Sequence, residues 1–279
     1  MSTPDIFISS QDLAAQLGTP DLVVVDGSWH MPAAGRSGAQ EFEEQHIPGA
    51  VFFDLDAISD HSSDLPHMLP SPEAFAAAVG ALGISDGARI VVYDSVGLFS
   101  AARVWWTFKT FGVKDVRILE GGLPRWLAEG RPVEKGASTR PVAQFTPHFD
   151  ASRVADIEQV AQISQDHSAQ ILDARAAARF RGEVPEPRPG LRSGHIPGAL
   201  NLPFDAVVEN GQIASAEKVK AALEHAGVDL SRPVVTSCGS GVTASVLWLA
   251  LESIGKPPQA LYDGSWTEWG SSDKPLATG

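Results

Sequence analysis

The chain has 279 residues, 43% of them hydrophobic and 20% charged, and a formal net charge of −13; this length suits two cores better than one, and the composition excludes a disordered chain. The acidity excludes bulk binding to nucleic acid or anionic lipid, and no apolar stretch is long enough to span a membrane. A single cysteine excludes an intramolecular disulfide and fits a reducing, cytoplasmic setting, and residues 1–7 carry no basic region or apolar run of a signal peptide.

In chain order, residues 21–26 form a short Val-rich run bounded by polar residues, which predicts a strand. Residues 72–82 have helical spacing, with Ser71 as N-cap and Pro72 at the first helical position. A second strand is predicted over 89–94, a helix over 100–111 and a third strand over 115–119. Residues 130–141 are polar and rich in Gly and Pro, as linkers are. Beyond them the pattern returns, with strands over 170–173 and 233–237 and helices over 216–226 and 242–254. Short strands joined by helices predict an α/β architecture with central parallel sheets flanked by helices, whose ligands bind beyond the carboxyl ends of the strands.

The chain is written twice. His46-Ile47-Pro48-Gly49-Ala50 recurs as His195-Ile196-Pro197-Gly198-Ala199, and Val24-Val25-Asp26 recurs as Ile171-Leu172-Asp173. From Val91 to Trp126 the offset to the second copy is a constant 143, which pairs Trp105 with Trp248 and Trp126 with Trp269. The expected division is a first domain over 1–140, a linker over 141–152 and a second domain over 153–279. Trp105, Trp106, Trp248 and Trp269 are expected in the core and between the domains.

Cys238 follows the second-copy strand and opens the loop Cys238-Gly239-Ser240-Gly241-Val242-Thr243 before an apolar helix. Free backbone N–H groups and the positive end of a helix dipole favour thiolate over thiol at such a turn. A lone cysteine is also often a small buried hydrophobe, but this small-residue loop gives it little to pack against. The first copy has Ser95 at this position, in a loop filled with bulky residues and without the Gly-x-Ser-x-Gly elbow of a hydrolase. The second copy is therefore expected to carry the chemistry, with the first as the other wall of the site.

The repeated His-Ile-Pro-Gly-Ala, together with a Cys-Gly-Ser-Gly-Val-Thr loop in the second copy alone, resembles the two-domain rhodanese-like sulfurtransferases, and among them the 3-mercaptopyruvate branch. Residues 63–70, Arg103-Val104-Trp105-Trp106, Gly121-Gly122-Leu123 and Arg179-Phe180-Arg181-Gly182 with Pro185-Glu186-Pro187-Arg188 agree as well. The resemblance implies two tandem rhodanese-like domains and a cysteine that takes sulfane sulfur as a persulfide. The sulfur then passes to a thiol, such as thioredoxin or a small thiol, or to cyanide. It implies a cradle for the terminal sulfur made by the N–H groups of Gly239, Ser240, Gly241, Val242 and Thr243 and the Thr243 hydroxyl, with no metal and no cofactor.

The resemblance also bears on the donor. The thiosulfate-using branch carries basic residues after the cysteine, where this chain has neutral Gly239 and Ser240, which suits 3-mercaptopyruvate with release of pyruvate. Thiosulfate as donor and a non-catalytic sulfur carrier or binding protein remain the alternatives. Arg179 and Arg188 match the substrate arginines, and Ser240 is the group that helps the donor thiol lose its proton. A relay of acid, His and Ser is implied, with His46 as its histidine. Residues 35–45 hold no Asp, so its acid is unassigned, and His195 is expected to be an internal hydrogen-bonding residue. His61 and His67 lie near Asp60 and Asp64 but at no standard metal spacing. A cysteine phosphatase would need Arg six positions after the cysteine, where this chain has Ala244.

Overall fold

The structure, a computed structural model, describes residues 6–279. Most of the N-terminal stretch read above for a signal peptide lies outside the described residues. The first half runs β1 (Phe7–Ile8), α1 (Ser10–Gln16), β2 (Leu22–Asp26), α2 (Gly38–Glu44), β3 (Val51–Phe52), α3 (Pro72–Ala81), β4 (Arg89–Tyr93), α4 (Ser100–Thr110), β5 (Val116–Leu119) and α5 (Gly122–Ala128). The second runs β6 (Val154–Ala155), α6 (Ile157–Asp166), β7 (Gln170–Asp173), α7 (Ala177–Phe180), β8 (Leu200–Asn201), β9 (Val208–Glu209), β10 (Gln212–Ile213), α8 (Ala216–His225), β11 (Val234–Ser237), α9 (Ala244–Ser253), β12 (Ala260–Tyr262) and α10 (Ser265–Ser271).

Each half forms a five-stranded sheet, in the orders β1-β5-β4-β2-β3 and β6-β12-β11-β7-β8. Every pairing in both is parallel, with Val24 opposite Val91 and Leu172 opposite Thr236. The two orders are one order under the repeat. All five residues of β2 and all four of β11 are buried, as strands covered on both faces must be. At the start of α3 the Ser71 hydroxyl accepts from the Ala74 N–H, and Pro72 follows it. The strand and helix ends expected from the pattern hold to within two residues; α9 starts latest, at Ala244, because Val242 and Thr243 belong to the loop before it.

The halves are not two separate beads. One apolar cluster lies on the outer face of each sheet, built around Trp126 in the first half and Trp269 in the second. The inner faces merge into a single cluster through α4 and α9, which pack against each other, with Trp106 and Trp248 edge to face at 6.1 Å. The β9–β10 hairpin, an addition to the second half, turns at Asn210 and Gly211, both with positive φ as a tight hairpin requires. It reaches the first half so closely that a Cβ on Gly97 would lie 2.6 Å from the Gly211 Cα.

Candidate active site

Cys238 follows the last residue of β11, at the carboxyl edge of the second sheet, and its side chain is buried. Its loop is tied down from outside. The Cys238 N–H donates to Ser265 Oγ at 3.2 Å, the Trp266 N–H donates to the Cys238 carbonyl, and the N–H and hydroxyl of Thr267 both donate to the Gly239 carbonyl. With its carbonyls engaged, the loop keeps its N–H groups for a ligand. Among the described residues no acceptor takes the N–H of Gly239, Ser240, Gly241, Val242 or Thr243. The N-terminus of α9 adds its dipole to this concavity.

The first half supplies an internal comparison. There the Asp94 carboxylate accepts from the N–H groups of Val96, Gly97, Phe99 and Ala101, at 2.7–3.0 Å. Under the offset of 143 these match Gly239, Ser240, Val242 and Ala244, and Asp94 itself matches Ser237. The same loop is thus filled by its own carboxylate in one half and free in the other. Ser95 donates its hydroxyl to the Glu41 carboxylate at 2.6 Å and lies 3.3 Å from His30 Nε2. Burial pushes the Glu41 carboxyl up, but hydrogen bonds from Arg36, Ser95 and His30 outweigh it and hold the group at about 2.

A cavity of about 240 Å³ opens at Cys238. Trp29, Met31 and Phe99 wall it from the first half, and Arg179, Arg188 and the Cys238 loop from the second. Arg179 lies against the loop; a Cβ on Gly239 would sit 3.3 Å from its Nη2. It is held by Glu186, whose carboxylate lies 2.5 Å from Arg179 Nη2 and 2.9 Å from Arg175 Nη1. Arg188 has no hydrogen bond or ion pair among the described residues. Burial pushes the Arg188 guanidinium below its ordinary value, opposed by Cys238, assisted by the charge of Arg179, and opposed again by Asp56 and Glu186. It is the cation left free for a ligand. The other arginines of this segment are engaged elsewhere: Arg175 on Asp173, Arg181 on Glu183, and Arg192 on carbonyls at the end of α10.

The structure does not bring His46 to this site. Its ring stacks on Phe42, its Nδ1 bonds the Phe42 carbonyl at 2.7 Å, and it is absent from the cavity wall. His195 does the same with Phe180 in the second half, so both repeated histidines serve their own domain. The histidine that does meet the loop is His67, with Nδ1 3.0 Å from Ser240 Oγ and Nε2 3.0 Å from Asp56 Oδ1. Trp29 braces both, with its ring edge-on to His67 at 4.7 Å and its Nε1 donating to Asp56. The hydrogen bond from His67 holds the Asp56 carboxyl below the ordinary carboxylate range against the opposing effect of burial, helped by the charge of Arg188. A tautomer that carries its proton on Nε2, the side facing Asp56, would leave Nδ1 as an acceptor toward Ser240. The companion His61 instead bonds the Ala57 carbonyl at 3.0 Å. Among the described residues no group of His, Cys, Asp or Glu is arranged to hold a metal ion, and no helix is long and apolar enough to cross a membrane.

Two α/β units of one topology, with a thiol beside a ring of unoccupied N–H groups at the edge of the second sheet, define a tandem-repeat α/β protein. The chain belongs to the rhodanese-like domain family, whose model matches residues 9–129 and 156–272. It is similar to the 3-mercaptopyruvate sulfurtransferase of Escherichia coli K12, 46% identical over 272 residues covering 97% of each chain. It is 43% identical to the mitochondrial thiosulfate/3-mercaptopyruvate sulfurtransferase 1 of Arabidopsis thaliana, over 99% of this chain and 79% of that one. The crystal structure of SseA from Escherichia coli, described as a 3-mercaptopyruvate sulfotransferase, superposes with a TM-score of 0.87 at 44% identity, covering 94% of this chain and 98% of that one.

Proposed function

We propose that this chain is a 3-mercaptopyruvate sulfurtransferase in which Cys238 carries the sulfur. The observation that carries the reading is the set of N–H groups around Cys238 that have no acceptor among the described residues, beside Arg188, which has no hydrogen bond or ion pair among them. Arg188 and the guanidinium of Arg179 bind the carboxylate and carbonyl of the donor. Ser240 takes the donor thiol proton and passes its own to His67, with Asp56 stabilising the cation formed. The Cys238 thiolate attacks the donor sulfur and the C–S bond breaks, leaving its electron pair on the enolate of pyruvate. The enolate recovers the proton and leaves as pyruvate, and Cys238 holds an anionic persulfide in the ring of Gly239, Ser240, Gly241, Val242 and Thr243. An acceptor thiol, either that of thioredoxin or a small thiol, or cyanide, then removes the terminal sulfur. Its single cysteine supports a reducing compartment, for which we propose the cytoplasm.

The second reading, thiosulfate as donor, is favoured by the dual name of the Arabidopsis relative. Ser240 and His67 favour the mercapto acid, because thiosulfate has no proton for a relay to take. Comparing kcat/KM for the two donors tests the choice, and the expected result is a large preference for 3-mercaptopyruvate. Intact mass after incubation with that donor should rise by one sulfur. A Cys238→Ala variant that still released pyruvate at the original rate would remove Cys238 as the carrier.

A further inference from the structure

His67 is held in an unusual way. Its φ is +63°, in the left-handed region that a non-glycine residue keeps only when its surroundings fix it. Two groups fix it, one from each half. Arg103, on α4 of the first half, donates from Nη2 to the His67 carbonyl at 2.6 Å. Asp263, just past β12 of the second half, accepts from the Leu69 N–H on Oδ2 at 2.8 Å. The same Arg103 Nη2 lies 2.6 Å from Asp263 Oδ1, and the two side chains are 1% and 3% exposed.

We propose that Arg103 and Asp263 are positioning residues that set His67 on Ser240, so that the proton relay is assembled only when the two halves are docked. The proposal rests on the relay reading above. Asp263 faces both flanks of His67: one oxygen makes a charge contact, without hydrogen-bond geometry, to the arginine that binds the residue's carbonyl, and the other accepts from the N–H two residues on. The guanidinium lies over the Trp106 ring at 4.7 Å, which fixes its plane. On its far side it meets the Cys238 loop at Gly241, where a Cβ would come within 2.6 Å of Nη1. Gly241 has φ +79°, so both its backbone and this close approach call for glycine. One guanidinium thus touches the histidine segment, the cysteine loop and the opposite domain.

The pair is poorly suited to a role in stability alone. Nε and Nη1 of Arg103 are buried without an acceptor among the described residues, and a buried ion pair contributes little more than well-packed apolar side chains would. What such a pair does supply is a fixed register between the parts it joins. A displacement of about 1 Å far from the reacting atoms can lower turnover roughly a hundredfold.

The test is the double variant Arg103→Met/Asp263→Asn, which removes both charges together and keeps an acceptor for Leu69. Pyruvate release from 3-mercaptopyruvate should fall roughly 10- to 100-fold in kcat with KM within about threefold, while iodoacetamide alkylates Cys238 at an unchanged rate. In a His67→Ala background the double substitution should cause no further loss, because it acts through His67. An additive loss, or alkylation slowed in parallel with turnover, would overturn the proposal, since either means that the pair acts on the loop or the fold. Undiminished turnover in His67→Ala alone would sink the relay itself, whereas a loss in His67→Ala with full turnover in the double variant would sink only the positioning role. Should the double variant not fold, Asp263→Asn alone keeps the side-chain shape, and the same three readouts decide.

Discussion

Asp94 of the first half and Ser237 of the second occupy one position of the repeat, and they leave the loops that follow in opposite states. Asp94 folds its carboxylate into the loop and accepts from four of its N–H groups. The Ser237 hydroxyl is buried and meets no acceptor or donor among the described residues, so the N–H groups past Cys238 stay free. The first half therefore lacks both the thiol and the ring of donors that would hold its sulfur.

Ser237→Asp should reproduce that state at the working site. A carboxylate in the ring competes with the terminal sulfur and places a negative charge beside the thiolate. Loss of one such donor costs a hundredfold or more, so loss of several should lower kcat/KM by at least roughly a thousandfold. The reverse substitution in the other loop, Ser95→Cys, should add no second sulfur, because Asp94 still fills its ring. Intact mass after the donor is supplied checks both: no added sulfur for the first variant, and one, not two, for the second.

The loop was legible in the sequence because its chemistry is local: strand, six small residues and helix are contiguous. Arg179 and Arg188 were legible through their motif, and both line the cavity. The acid and histidine that the structure brings to Ser240 were not, because they come from a segment far from it in the chain. Asp56 and His67 lie in an irregular stretch with no periodicity, and Ser240 meets them only after the halves dock. One clue was present nonetheless. His46 has a twin in His195, so its role had to be common to both domains, whereas the chemistry belongs to one. The short edge strands β1, β3, β6 and β8 went unpredicted for a simpler reason: two residues carry no period.

Glu186 should set how much positive charge the donor meets. Its side chain is 2% exposed and spans Arg175 and Arg179, so of the three arginines lining the cavity Arg188 alone has no ion pair among the described residues. Glu186→Gln removes one negative charge and loosens Arg179. A dianion gains more from this than a monoanion does, so the ratio of kcat/KM for mercaptopyruvate to that for thiosulfate should fall about tenfold. Arg188→Ala should instead lower mercaptopyruvate kcat/KM by about 10- to 100-fold, the value of a charge-assisted hydrogen bond. A donor ratio unmoved by Glu186→Gln would mean that charge at this end of the cavity does not select the donor.

Asp26 should make the fold more stable in mild acid. It ends β2, buried, and accepts from the Ser28 N–H at 2.9 Å. Burial pushes its carboxyl up to about 6, against hydrogen bonds from Ser28 and Tyr93, and the neighbouring Asp94 adds to the rise. The folded value exceeds the unfolded one, so the native state binds this proton more tightly. Stability therefore grows as pH falls from above 6 toward 4 and is lost as pH rises through 6, by on the order of 3 kcal/mol. Asp26→Asn removes the titration. Its thermal midpoint should exceed that of the natural chain at pH 8, and the gap should shrink to roughly half near pH 5 and close near pH 4. Equal gaps at pH 8 and pH 4 would remove Asp26 as the source.

The shared inner core should make the two halves unfold together. Trp106 is fully buried on α4 and meets Trp248 of α9, and the apolar side chains around them belong to one cluster drawn from both halves. Truncating a buried Trp to Ala costs about 3–5 kcal/mol, much of it from the cavity left behind. At this position the loss falls on both halves at once, since α4 and α9 each use the other as their apolar wall. Guanidinium titrations of Trp106→Ala, followed by far-UV circular dichroism and by exposure of the Cys238 thiol, should give one coincident transition at lower denaturant than in the natural chain. Two resolved transitions, with the thiol exposed at the original midpoint, would mean that the second half keeps its core without the first, and the docking on which the site depends would then add nothing to its stability.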